Sequence, residues 1–144
     1  MRNGRRIAFD FGQVRIGVAA SDMSGLIASP VATLLTADPH LHDQLLALIA
    51  EYEPIYLVVG EPKHLSGASN PSLDAAHKFG EMLETLTTTP IHFIDERMST
   101  VSAARELRSA GHNAKSSKSK IDAMAAVAIL ESALNRERIA GHLD

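Results

Sequence analysis

Apolar and polar positions alternate along this chain in a way that predicts strands first and helices later. Ile7, Ala8 and Phe9 form an apolar run that Asp10 interrupts, Phe11-Gly12-Gln13 supplies a turn, and positions 15–20 run apolar again to Ser21-Asp22. Two strands with a tight turn follow, buried on both faces. Positions 26–35 predict a third strand, broken near Pro30, so the chain opens as an antiparallel meander. Then the period changes. Over 39–51, Leu41, Leu45, Leu46, Leu48 and Ile49 share one helical face, and Glu53-Pro54 ends the helix. The run IYLVVG at 55–60 is a short buried strand, which makes a β-α-β crossover and a parallel pairing.

The second half continues the alternation. Asn70-Pro71 reads as cap and first residue of a helix to about Leu86, with Leu73, Ala76, Phe79, Gly80 and Leu83 facing inward. A fifth strand covers 91–94 and ends on Asp95-Glu96-Arg97. A helix capped by Ser99 or Thr100 runs to Ala110 and stops at Gly111. A basic flexible loop is expected over 112–119. The last helix opens at Ser119 or Lys120, amphipathic through Ile121, Met124, Ala125, Ala128, Ile129 and Leu134. The order βββ-α-β-α-β-α-α describes one α/β domain over 1–144, with no repeat and no linker.

Composition removes several function classes. The 144 residues are 45% hydrophobic and 22% charged, the profile of a soluble globular domain with a sizeable core. There is no cysteine, which excludes disulfides, thiolate zinc sites and thiol nucleophiles and fits a cytoplasmic protein. Aromatics make up 4%, with no Trp, too few for stacking platforms on single strands. The basic start MRNGRR is followed by an apolar run that breaks at Asp10, so no signal peptide is read there, and no apolar run suits a membrane span. The net charge of −3 means that any nucleic-acid contact depends on local basic patches.

The candidate chemistry lies in acids at element boundaries: Asp10 after strand one, Asp95 and Glu96 after strand five, and Asp122 in the first turn of the last helix. Each has a plainer explanation taken singly. Asp10 could cap a hairpin, Asp95 or Glu96 could pair with Arg97, and Asp122 could favour a helix dipole. Together they have another reading. Parallel strands bring their C-terminal ends to one sheet edge, where α/β ligand sites form. Carboxylates converging there repel one another unless a divalent cation lies between them, and oxygen donors suit Mg²⁺ or Mn²⁺. Such ions activate water for phosphodiester cleavage.

Four motifs are similar to one known family: DFGQVRIGVAASD at 10–22, VVGEPKHLSG at 58–67, IDERMST at 94–100 and KSKIDAMAAVAIL at 118–130. In order, spacing and coverage they resemble the YqgF/RuvX family, Holliday-junction resolvases and pre-16S ribosomal RNA nucleases with an RNase H-like fold. The resemblance implies a mixed five-stranded sheet with helices on both faces, and a Mg²⁺- or Mn²⁺-dependent hydrolase. The expected catalytic residues are Asp10, Asp95, Glu96 and Asp122. Strand alternation sends Asp95 and Glu96 to opposite faces, and Glu96 is favoured as the ligand beside Asp10 and Asp122. The implied substrate is structured RNA or branched DNA. Arg15, Lys63, Arg97, Arg105, Lys118 and Lys120 are candidates to clamp its phosphates, with Arg15 placed to face Asp10. Symmetric cutting of a junction would require a homodimer. The chain departs from the family pattern at Glu61, where an apolar residue is usual. Glu61 reads as an extra ligand or, preferably, an exposed loop carboxylate balancing Lys63. Of the histidines, only His64 and His112 are expected near a substrate. The alternative is a non-catalytic nucleic-acid-binding or ribosome- or transcription-associated module of the same fold.

Overall fold

The computed structural model describes residues 1–62, 71–95 and 114–143, with the backbone alone at 72 and 114–121. Its strands are β1 (Arg6–Phe11), β2 (Arg15–Ser21), β3 (Ala28–Leu35), β4 (Tyr56–Glu61) and β5 (Ile91–Asp95). The helices are α1 (Leu41–Tyr52), α2 (Pro71–Leu86) and α3 (Ala114–Ala140). The expected helix over 99–110 lies outside the described residues.

The sheet is mixed, in the order β3-β2-β1-β4-β5. β1 pairs antiparallel with β2, and β2 with β3, as the meander requires; β1–β4 and β4–β5 are parallel. The C-terminal ends of β1, β4 and β5 therefore share one edge. The kink foreseen near Pro30 is a register shift in the β2–β3 pair, between Val18 and Ala19 on β2. α1 ends on Glu53, which adopts the left-handed conformation at φ 44° and donates its N–H to the Ile49 carbonyl.

The two faces of the sheet are packed differently. One face combines Ile7, Phe9, Ile16, Val18, Leu57 and Val59 with Leu41 and Leu45 of α1 and Ala76, Phe79 and Leu83 of α2. Its side chains are bulky: the Phe79 ring meets Phe9 edge-on at 5.4 Å and stacks on Phe11 at 4.9 Å. The other face combines Ala8, Ala19, Val58 and Ile94 with Ala125, Ala126, Ala128, Ile129, Leu130, Ala133 and Leu134 of α3. Small residues on both sides let α3 lie close against β1, β2 and β3. Helices thus cover both faces, as expected.

α3 departs from expectation at its start. It begins at Ala114, so Lys115 and Lys118 stand in its first turns rather than in a loop, and Lys120 lies within the helix rather than at its opening. Asp122 is the ninth residue of the helix, not part of its first turn, and the helix dipole does not account for it. Met124, expected inward, is 49% exposed. Close packing on the sheet, rather than a simple amphipathic stripe, decides which α3 positions are buried.

A buried ion pair locks the far end of α3. Arg6 is fully buried and its guanidinium meets Glu137, at 2.9 Å from Nη2 to Oε2 and 3.3 Å from Nε to Oε1. The Tyr56 hydroxyl donates to Glu137 Oε1 at 2.8 Å, and the Gly4 and Arg2 carbonyls accept from Arg6. Among the described residues no helix is long and apolar enough to cross a membrane.

Candidate active site on the α3 face of the sheet

Strand alternation decides which acids can meet. Ala8 belongs to the α3 face and Phe9 to the opposite face, so Asp10 projects toward α3. It is 6% exposed. On β2 the same alternation puts Arg15, Gly17 and Ala19 on the α3 face, because Ile16 and Val18 belong to the other. Asp10 is the register partner of Gly17. Arg15 is two residues along β2, diagonal to Asp10 across the pair.

Gly17 is where the helix touches the sheet. A Cβ built on it would fall 1.9 Å from the Asp122 carbonyl oxygen and 3.0 Å from the Ala123 nitrogen. Only glycine leaves that space, so Asp122 of α3 is seated directly over the residue that pairs with Asp10. Asp122 is 7% exposed. Its Oδ2 accepts a hydrogen bond from Arg15 Nε at 2.8 Å. Arg15, expected to face Asp10, bonds Asp122, because α3 descends onto β2 at this point. Gly12 serves the expected turn: its added Cβ would fall 2.5 Å from the Arg15 carbonyl oxygen, so only glycine closes the β1–β2 connection.

Asp95 and Glu61 lie on the other side of the sheet. They are register partners at the ends of β5 and β4. Ile94 packs with α3 and Phe93 with the α2 side, so Asp95 falls with Phe93, facing away from Asp10 and Asp122. Glu61 meets His77 Nε2 of α2 at 2.5 Å, and the His77 ring stacks on Phe93 at 4.6 Å. Glu61 is therefore the last residue of β4 and a partner of α2, not an exposed loop carboxylate. His77 did not stand out in the sequence because nothing in helical spacing points it at a strand end sixteen residues earlier.

Glu96, Lys63, Arg97, Arg105, His64 and His112 lie outside the described residues. Lys118 and Lys120 are placed by backbone in the early turns of α3, the turns that lead to Asp122. Among the described residues no group of three His, Asp or Glu side chains is arranged to hold a metal ion. What the described residues do offer is a pair of buried carboxylates on one face. Their all-oxygen chemistry fits a hard divalent cation that takes its remaining ligands elsewhere.

Comparison with known proteins agrees with this architecture. Over 143 residues the chain is 45% identical to a protein of Streptomyces coelicolor provisionally named a pre-16S rRNA nuclease, covering 98% of this chain and 86% of that one. A relative from Streptomyces avermitilis with the same provisional name is 43% identical, covering 98% and 92%. Among solved structures, Thermus thermophilus RuvC in complex with a Holliday junction substrate superposes with a TM-score of 0.63 at 15% identity, covering 97% of this chain and 98% of that one. That likeness establishes the RNase H-like fold. The RuvX family model, described as Holliday junction resolvase, matches residues 4–136. The chain belongs to the RuvX family.

Proposed function

We propose that this protein is a divalent-metal-dependent endonuclease that hydrolyses phosphodiester bonds in structured nucleic acid. Its substrate class is the 5′ region of pre-16S ribosomal RNA or a four-way DNA junction. One observation carries the reading: Asp10 and Asp122, far apart in sequence, are buried on one face of the sheet, with Asp122 seated over Gly17, the register partner of Asp10. Burying two carboxylates together is costly without compensating positive charge. The family relationship and the provisional names of the relatives support the cleavage of nucleic acid.

In this reading Asp10 and Asp122 hold Mg²⁺ or Mn²⁺. With Asp95 directed to the opposite face, Glu96 is the member of the acidic pair left for the third ligand position. Asp95 then supports the site from behind the sheet. The cation, when bound, activates water and stabilises the leaving oxygen. The residues of the chain fix the site's geometry and grip the substrate. Water oxygen bonds to phosphorus as one P–O ester bond breaks, and the leaving oxygen takes up a proton. Arg15, Lys63, Arg97, Arg105, Lys118 and Lys120 grip the phosphates without reading sequence. Symmetric cutting of a junction requires two copies.

The test is cleavage of two labelled substrates side by side, a four-way DNA junction and an RNA carrying the pre-16S 5′ leader. Each is run with Mn²⁺, with EDTA, and with Asp10→Asn. Cutting that needs both metal and Asp10 establishes the nuclease, and the preferred substrate names its pathway. Binding without cutting of either substrate replaces this reading with a non-catalytic binding module.

A further inference from the structure

The bond between Arg15 and Asp122 has a consequence for the proposed metal site. Asp122 Oδ2 takes a charged hydrogen bond of 2.8 Å from a guanidinium whose side chain is 28% exposed, while the Asp122 side chain is 9% exposed. The arginine therefore reaches from the solvent side onto a carboxylate that is otherwise enclosed. The same residue starts β2 on the α3 face, diagonal to Asp10 and beside the turn closed by Gly12. A positive charge here is bonded to one buried acid, Asp122, and stands on the same face of the sheet as the other, Asp10.

Resting on the metal-site reading above, we infer that Arg15 is the resident counter-charge of Asp122, competing with the divalent cation for that carboxylate and turning to a substrate phosphate once displaced. The physical argument has two halves. A guanidinium and a dication on one largely buried carboxylate repel each other, so they do not share it at no cost. An arginine released at the rim is well shaped for a phosphate, which accepts its forked donors. The released arrangement of Arg15 is favoured by metal and by nucleic acid alike. Each ligand then strengthens the binding of the other through the same side chain.

A purely structural arginine predicts the opposite sign. If Arg15 merely braced Asp122, removing it would loosen the acid and weaken metal binding. Competition predicts that Arg15→Gln binds Mn²⁺ more tightly.

The experiment titrates Mn²⁺ into the whole protein and follows the free ion by electron paramagnetic resonance, for the parent chain, Arg15→Gln, Arg15→Lys and Asp122→Asn. Circular dichroism checks that each variant is folded. Binding of a labelled four-way DNA junction is measured in parallel as a function of salt. The expected result is about tenfold tighter Mn²⁺ binding by Arg15→Gln. Its junction binding weakens, with a salt slope reduced by about one. Arg15→Lys, which keeps the charge, returns Mn²⁺ binding toward the parent value. Unchanged or weaker Mn²⁺ binding by folded Arg15→Gln, while Asp122→Asn loses the ion, overturns the competition and leaves the metal site standing. Retention of full Mn²⁺ affinity by Asp122→Asn overturns the metal site itself, and the competition with it. If Arg15→Gln does not fold, Arg15→Lys decides: its ammonium lacks the Nε donor that holds Asp122, so Mn²⁺ binding weaker than the parent's overturns the competition.

Discussion

The two ends of α3 carry the same chemical pair in two settings. At one end Arg6 and Glu137 meet at 2.9 Å, and at the other Arg15 and Asp122 meet at 2.8 Å. Distance does not separate them; enclosure and extra partners do. Arg6 is fully enclosed, and Tyr56 and two backbone carbonyls complete its network. Arg15 stays partly open to solvent, on the same face as a second buried acid, Asp10. A closed and satisfied network holds a helix in register. A partly open pair beside a second acid retains charge that a ligand can use. The first kind of pair explains why α3 sits where it does, and the second what it delivers there.

Breaking the closed pair should have the largest effect. Glu137→Ala leaves the Arg6 guanidinium buried without its carboxylate and should cost about 3–5 kcal/mol, read by urea denaturation. Replacing the whole network by apolar groups sharpens the contrast. Arg6→Met, Glu137→Leu and Tyr56→Phe together should recover much of that loss, because no buried polar group is then stranded. The corresponding apolar replacement of Arg15 and Asp122 should leave the fold intact and abolish Mn²⁺ binding.

Gly17→Ala should come next. The added Cβ has no room against the Asp122 backbone, so α3 must shift at its contact with β2. A loss of about 1–3 kcal/mol is expected, with weaker Mn²⁺ binding in the variant that still folds.

Acid should act on the closed pair more gently. Burial opposes ionisation of Glu137, but hydrogen bonds from Arg6 and Tyr56 outweigh it and hold the carboxyl below its usual range. A carboxyl whose folded value is lowered contributes stability that is present above its unfolded value. That contribution is lost as pH falls through the folded one. The urea midpoint should therefore fall below about pH 4.3, and Glu137→Gln should flatten that part of the profile. Burial and the bond to Glu137 push the Tyr56 phenol up, so Tyr56 remains a donor throughout this range.

The smallest effect is expected on the α2 face. His77→Ala removes from Glu61 a partner whose own side chain is 48% exposed, and should cost under about 1 kcal/mol. It should leave Mn²⁺ binding unchanged, since Glu61 projects away from Asp10 and Asp122. A marked loss of metal binding would show that the two faces of the sheet are coupled.

Much of the fold was legible from residue order. The change from apolar runs to helical spacing placed β1, β2, β4, α1 and α2 within a few residues, and the crossover between β1 and β4 implied their parallel pairing. Strand alternation predicted that Asp95 and Glu96 face opposite ways, but which of the two lies on the side of Asp10 was decided by the packing of Ile94 and Phe93. The start of α3 was not legible, because Lys115, Ser116, Ser117 and Lys118 look like a solvated loop until the helix they extend is seen. Arg6 and Glu137 were hidden for a related reason. A charged residue in sequence carries no mark of burial, and these two are 131 residues apart.

The sequence by itself determined the order of elements, the apolar faces and the presence of acids at their boundaries, because these depend on local period and turn chemistry. Tertiary structure alone decided which acids meet and which cation answers them. The reason is steric as much as electrostatic. Small residues on α3 and β2 bring the helix backbone onto Gly17, and that approach seats Asp122 within reach of Arg15 on the face that also carries Asp10.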